Sequence, residues 1–326
     1  MIVAVYVDDL LITGNDKELI KKFKSFLSRE FEKIPDLEDL KKYLGIEIDQ
    51  DNGQLHLHHQ TYINDILVRF KLTEKMGKQT PLPINLDSLL EESNQKDSIQ
   101  EILGSLRFLA DRCRPDISFA CSFLARNAAA ANHREQMAAE RVARYLKETI
   151  NDVLVIGSRK KEVKLFAFSD ASFIRDRDSK SQIGYALYLS QDSGSILAKS
   201  KKDKSVSLSS THAEINAVVE CIKEVIWHRM FLEEMGFPQV DPTPIFVDNI
   251  NIIHLSIFIG NDSKSKYLLN KINYIKEKIT LGEIKLFHIP TELNVADLLT
   301  KSLDRGQFNI LKELLLKGFI VPVIDG

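Results

Sequence analysis

The stretch Val163-Lys164-Leu165-Phe166-Ala167-Phe168-Ser169-Asp170 decides how the second half of the chain folds. It reads as an apolar strand over 163–169 that ends on an acid. Two more apolar strands follow at 183–190 and 195–200, then a long helix from Thr211 to Met235. Strand 244–247, a helix, a second helix near 268–280 and strand 284–289 complete the pattern. Three strands and a helix, followed by alternating helices and strands, describe a mixed α/β sheet with helices packed against it. The boundary of this unit falls near residue 158.

Working outward, the N-terminal side has a different texture. Ile2 to Thr13 is apolar on both sides of Asp8-Asp9 and reads as a tight hairpin. An amphipathic helix is expected over Asp16–Phe31, with Ile20, Phe23, Leu27 and Phe31 at helical spacing. Residues 42–50 and 53–59 form short strands around the turn Asp51-Asn52-Gly53. Residues 79–98 break the pattern, and three helices follow at 98–112, 116–130 and 133–149. Pro115 suits the first turn of the second of these, and Asn132 caps the third.

Composition bounds the rest. The 326 residues carry 44 basic and 46 acidic side chains, a net charge of −2, with 44% hydrophobic residues. That is an ordinary balance for a globular protein, and it neither demands nor excludes a nucleic-acid partner. Cys113, Cys121 and Cys221 lack ligand spacing and argue against a disulfide framework, hence for a reducing compartment. No stretch approaches the ~18 apolar residues of a membrane span, and Met1 to Val5 lacks the basic start of a signal peptide. The expected location is intracellular, with no membrane partner.

Four acids stand at the ends of predicted elements: Asp170, Glu214, Asp248 and Asp297. Each has a purely structural explanation. Thr211 with Glu214 fits a capping box, Asp248 a helix N-cap, and Asp297 a first-turn acid. Together they suit a different task. Two-metal phosphodiester hydrolysis needs clustered carboxylates on rigid elements, holding two divalent ions ~4 Å apart. Magnesium prefers oxygen ligands and keeps several waters, so a few carboxylates suffice.

These residues also carry a resemblance. Ser169-Asp170-Ala171-Ser172, Arg175-Asp176-Arg177-Asp178-Ser179-Lys180-Ser181 and Gly184-Tyr185 resemble the first ribonuclease H motif of copia-type LTR retrotransposon Pol polyproteins. Leu208-Ser209-Ser210-Thr211 with Ala213-Glu214 resembles the second, and Val247-Asp248-Asn249 the third. His288-Ile289-Pro290-Thr291-Glu292, Ala296-Asp297 and Thr300-Lys301 resemble the fourth. The resemblance implies that Asp170, Glu214, Asp248 and Asp297 are the catalytic, metal-binding acids. It implies two Mg²⁺ or Mn²⁺ ions as cofactors, and the RNA strand of an RNA–DNA hybrid, recognised partly through its 2′-hydroxyls, as substrate. Lys199, Lys201, Lys202 and Lys204, with Lys264, Lys266 and Lys271, are candidate phosphate contacts, with a merely solvated surface as the alternative.

Tyr6-Val7-Asp8-Asp9, Leu10-Leu11-Ile12-Thr13-Gly14 and Leu37-Glu38-Asp39-Leu40-Lys41-Lys42-Tyr43-Leu44-Gly45-Ile46-Glu47-Ile48 resemble the reverse transcriptase palm of the same elements. Gly104 to Leu109, Arg114-Pro115-Asp116-Ile117 and Arg141 to Lys147 resemble its thumb and connection. The implied division is a palm remnant over 1–85, a helical thumb and connection over 86–158, a ribonuclease H-like domain with a mixed five-stranded sheet over 159–305, and a C-terminal tail over 306–326. Asp8 and Asp9 would be the polymerase-motif remnant. With only Met1 to Val5 before Tyr6, no DNA synthesis is expected from the chain alone. A separate fingers–palm reverse transcriptase fragment that completes the polymerase is a further conceivable partner. A virus-like particle in the cytoplasm, or the nucleus, is the implied setting.

The sequence departs from the family where Asp262 to Leu269 lacks the usual histidines and aspartate, where Ile272-Asn273 replaces a Tyr-His pair, and where Ala198 replaces a tryptophan. These changes bear on substrate handling. They make a non-catalytic, decayed or co-opted nucleic-acid-binding remnant the alternative reading. His56, His58 and His59 alternate as on a half-exposed strand and do not read as a metal site. His288 reads as a strand-end residue, and Val218, Ile222, Trp227 and Phe231 as the buried stripe of the long helix.

Overall fold

The computed structural model describes residues 1–31, 40–89, 98–160, 163–172, 180–207, 209–257 and 266–319. Leu37 to Asp39, Arg175 to Ser179, Leu208, and Asp262 to Ser265 with Lys264 lie outside them.

The chain opens with strands β1 (Ile2–Tyr6) and β2 (Asp9–Thr13), an antiparallel pair closed by Val7-Asp8 that, among the described residues, pairs only with itself. Helix α1 (Lys17–Glu30) follows; Asp16 Oδ1 accepts from the Leu19 amide and caps it. Strands β3 (Lys42–Tyr43), β4 (Ile46–Asp51) and β5 (Gln54–His58) then meander. The β4–β5 turn needs left-handed backbone at Asn52 and Gly53, which these two residue types tolerate. Helices α2 (Gln60–Arg69), α3 (Gln100–Arg112), α4 (Ser118–Leu124) and α5 (His133–Glu148) come next. The expected helix over 116–130 is split: 3-10 turns at Pro115–Ile117 and Ala125–Asn127 flank α4. Asn132 caps α5 in a reciprocal box with Glu135.

Strand β6 (Leu154–Ile156) returns to pair with β5, giving the sheet order β3-β4-β5-β6. The second sheet contains β7 (Phe166–Ser172), β8 (Gln182–Tyr188), β9 (Leu197–Lys202), β10 (Thr243–Val247) and β11 (Ile284–His288). Its order is β11-β10-β7-β8-β9, with β7, β8 and β9 antiparallel and β10 parallel to both β7 and β11. Helices α6 (Ser210–Glu234), α7 (Ile250–Ile257) and α8 (Lys266–Thr280) belong to this unit. The expected mixed five-stranded sheet with flanking helices is present.

Strand pleating sorts the core into two faces. Ala167 of β7 and Leu187 of β8 pack with Val218, Ile222 and Val225 of α6. Phe166 and Phe168 point the other way. Phe168 stacks on Phe246 at 5.1 Å, and Phe166 on Tyr188 at 5.0 Å. This second face is covered by the 3-10 turn Val295–Leu299, by helix α9 (Arg305–Lys317) and by the connection helices, all within one apolar cluster. The expected tail thus contributes α9, whose Leu311, Leu315 and Leu316 are fully buried.

One expectation about α6 is corrected. Val218 and Ile222 are buried, but Trp227 is 55% exposed and Phe231 45%. Val225, not Trp227, continues the stripe; residues 227 and 231 fall on the flank, where they stack on each other at 5.3 Å. Among the described residues no helix is long and apolar enough to cross a membrane.

Candidate active site

Period-two alternation along β7 puts Asp170 on the face of Phe166 and Phe168, and along β10 it puts Asp248 on the face of Phe246. Both acids therefore look toward the turn Val295–Leu299, which carries Asp297. One carboxylate oxygen each from Asp170, Asp248 and Asp297 lies within 4.8 Å of the others. Asp170 sits within β7 rather than at its end, paired with Gly184 of β8. Asp297 sits on a 3-10 turn rather than at the start of a regular helix.

The acid-bearing turn is held by residues that sequence reasoning passed over. Asn294 is fully buried; its Oδ1 accepts from the Ala296 amide, and its Nδ2 donates to Ser169 O at 3.3 Å, beside Asp170. Ser200 Oγ donates to Leu299 O at 2.6 Å and accepts from Gln182 Nε2 at 2.7 Å. Gln182 Nε2 also reaches Ser122 Oγ, and Gln182 Oε1 accepts from Arg126, so the connection helices are tied to the turn. Gly184 allows the close approach: a Cβ there would lie 2.6 Å from Thr300 Cγ2 and 2.8 Å from Leu299 Cβ.

Each acid has a fixed partner. The Thr300 hydroxyl donates to Asp170 Oδ2, Thr291 Oγ1 to Asp248 Oδ2 at 3.2 Å, and Asn249 Nδ2 to Glu214 Oε2. Glu214 stands outside the three-aspartate group. Its capping-box reading fails, because the N-cap of α6 is Ser209, whose hydroxyl accepts from the His212 amide at 3.1 Å. The glutamate side chain instead turns to Asn249, within electrostatic reach of Asp170 and Asp248. Lys301, one helical step from Asp297, places Nζ 2.8 Å from Asp297 Oδ2 and 4.0 Å from Asp170 Oδ2. Its i+4 spacing from Asp297 was the available signal; the contact itself depends on the turn.

Burial and mutual repulsion mark the cluster electrostatically. Burial, then the Asp170 charge, pushes Asp297 up to about 8 despite Lys301. Burial raises Glu214 to about 7, with Asp170 and Asp248 adding to it against the Asn249 hydrogen bond. Asp248 is raised by burial and by Asp170. The Lys301 ammonium is disfavoured by burial, yet the charges of Asp170 and Asp297 outweigh that and hold it above the ordinary lysine value. Asp297 Oδ1 is buried and accepts no hydrogen bond from the described residues. An unpaired buried carboxylate oxygen costs stability unless something charged meets it. Hard oxygen donors, converging charge and this open oxygen fit a divalent cation of the magnesium type.

The other candidates separate from this centre. Asp8 and Asp9 are exposed, and neither joins a group of three metal-ligating side chains among the described residues. Lys199 faces Asp111 at 3.6 Å, Lys201 pairs with Glu220 at 2.5 Å, and Lys271 Nζ donates to Asn216 Oδ1 at 2.5 Å. Lys202 ends β9, Lys204 is exposed in the following loop, and Lys266 opens α8. His58 lies between Glu47 and Asp49, at 3.1 Å from each, and His59 is buried against Phe108.

Fold and site together define a ribonuclease H-like sheet behind a reverse transcriptase segment. The family model described as reverse transcriptase (RNA-dependent DNA polymerase) matches residues 1–84. The chain is 32% identical to the retrovirus-related Pol polyprotein from transposon TNT 1-94 of Nicotiana tabacum, over 96% of this chain and 24% of that protein. It is 33% identical to the putative transposon Ty5-1 protein of Saccharomyces cerevisiae, over 68% of this chain and 73% of that one. Among solved structures, LC11 ribonuclease H1 in complex with an RNA/DNA hybrid shares 20% identity and a TM-score of 0.32, covering 42% of this chain and 94% of that one. The chain belongs to the copia-type Pol polyproteins of LTR retrotransposons. It spans about a quarter of the length of the tobacco relative.

Proposed function

We propose that the chain is a divalent-metal-dependent ribonuclease H that hydrolyses the RNA strand of RNA–DNA hybrids. The observation that carries this reading is the convergence of Asp170, Asp248 and Asp297 within 4.8 Å, on two adjacent strands and a buried turn. Those three, with Glu214, would hold one or two Mg²⁺ or Mn²⁺ ions. Such ions, when bound, activate a water and neutralise charge developing on the phosphate. The chain's own groups pre-set the geometry. Thr300 and Thr291 fix the rotations of Asp170 and Asp248. Asn249 holds Glu214 by Oε2, and Asn294 locks the turn beneath Asp297. Preorganisation of this kind spares the site reorganisation when charge develops.

The reverse transcriptase segment is proposed to be inactive as a polymerase by itself, since Asp8 and Asp9 stand on an exposed hairpin whose strands, among the described residues, pair only with each other. The divisions at residues 85, 158 and 305 are proposed as family segments rather than separate folding units.

A hybrid labelled on either strand tests the substrate. The expected result is shortening of the RNA strand, an intact DNA strand, and no cutting of duplex DNA. Binding of the hybrid without cleavage of either strand, by folded protein in Mg²⁺ and in Mn²⁺, would favour the non-catalytic remnant.

A further inference from the structure

We propose that Lys301 is the built-in counter-ion of the acid cluster and competes with a divalent cation for it. The inference rests on reading the cluster as a metal site, and concerns what occupies its charge before a metal arrives.

Three observations carry it. The Lys301 ammonium lies 2.8 Å from Asp297 Oδ2 and 4.0 Å from Asp170 Oδ2, so it touches two of the three converging acids. Its backbone is fixed: the Lys301 and Thr300 amides both donate to Asp297 O, at 3.1 Å, which keeps the side chain on the Asp297 side of the turn. The side chain is only 36% exposed, so the ammonium is partly withdrawn from water and gains its charge compensation from the acids.

An ion that ligates Asp297 Oδ2 would meet the ammonium at hydrogen-bond distance from the same atom. Two cations cannot share it without repulsion, so Lys301 must swing away as the metal enters. The metal-free fold is thereby stabilised at the expense of metal affinity. The competition also sets a threshold for the incoming ion. A monovalent cation brings no more charge than the ammonium it would displace, whereas a divalent one does.

The test is calorimetric titration of Mn²⁺ alone into the full chain and into Lys301→Met and Lys301→Gln, with thermal melts of each protein without metal. Both variants are expected to melt lower than the parent and to bind Mn²⁺ more tightly. The gain should be roughly five- to a thousandfold, the range that giving up a unit opposite-charge contact at ~4 Å spans between water-like and surface-like screening. Lys301→Arg keeps the charge, so it should retain more of the metal-free melting temperature than the neutral variants and bind Mn²⁺ no tighter than the parent. Binding by the neutral variants but not by the parent would support the proposal outright. Unchanged or weaker binding by folded neutral variants, or tighter binding by Lys301→Arg, would overturn it while leaving the metal site standing. No binding by any of these proteins would remove the metal site and the proposal with it.

Discussion

Asp297 stands under opposed pulls: burial and Asp170 favour its protonated form, Lys301 its charged form, and the first pair prevails. An acid whose folded-state pKa is raised ionises first in the unfolded chain. The native state then binds more protons between the ordinary aspartate value of 3.8 and about 8, so stability falls as pH rises through that window. Melting of the metal-free protein should therefore drop between pH 5 and pH 8, and Asp297→Asn should flatten that decline. An equally steep decline in the variant would contradict it. Arg114 pairs with Asp116 through two nitrogens at 2.8 and 3.0 Å, both side chains buried, with Tyr145 donating to the same acid at 2.6 Å. Asp116→Ala strands a buried guanidinium and should cost about 3–5 kcal/mol by urea unfolding. The four acids were legible because each ends or opens an apolar run. The roles of Asn249 and Asn294 were not, because they lie in contacts across 35 and 125 positions that no local pattern encodes, and Lys301 had only its i+4 spacing from Asp297.

At the scale of elements, the turn Val295–Leu299 is held by its fit against β8. Gly184 has no Cβ where Thr300, Leu299 and Ala296 O press in. Gly184→Ala should cost about 1–3 kcal/mol through overpacking. It should also weaken Mn²⁺ binding by the folded variant, because the only room is made by moving the turn that carries Asp297. Unchanged affinity in titration would show that the turn is not so constrained. The strands of the second sheet and helix α6 were readable within a few residues, since apolar runs mark them, although the cap falls at Ser209 and not at the expected Thr211. The split of the expected 116–130 helix was not. Pro115 opens a 3-10 turn, and there Arg114 and Asp116 bind each other and reach Thr149 and Tyr145, contacts far along the chain that no local pattern shows. The exposed Trp227–Phe231 pair was misread for a related reason. Apolar residues at helical spacing define a stripe but not which stripe the sheet covers.

At the scale of the whole molecule, one apolar cluster joins α2 through α5 to β7, β8, β10, the acid-bearing turn and α9. Phe308 of α9 meets Tyr145 of α5 edge-on at 5.6 Å, and Lys312 donates to Asp152 at 2.7 Å. A fragment covering 159–305 alone would lose α9 and the connection helices from the Phe166 and Phe168 face, keeping only the turn Val295–Leu299 over it. It should show no cooperative thermal transition, whereas the full chain should; a sharp transition in the fragment would contradict the shared core. The sequence pattern changes near residue 158, but burial shared across that position involves pairs far apart in the chain and leaves no local trace.

The decisive measurement is cleavage of a labelled RNA–DNA hybrid by the full chain and by Asp248→Asn, in Mg²⁺ and in Mn²⁺. The expected result is metal-dependent cutting of the RNA by the parent, a loss of at least about a hundredfold in the variant, and no cutting by either in chelator. Undiminished cutting by folded Asp248→Asn, or none by folded parent in either metal, would contradict it.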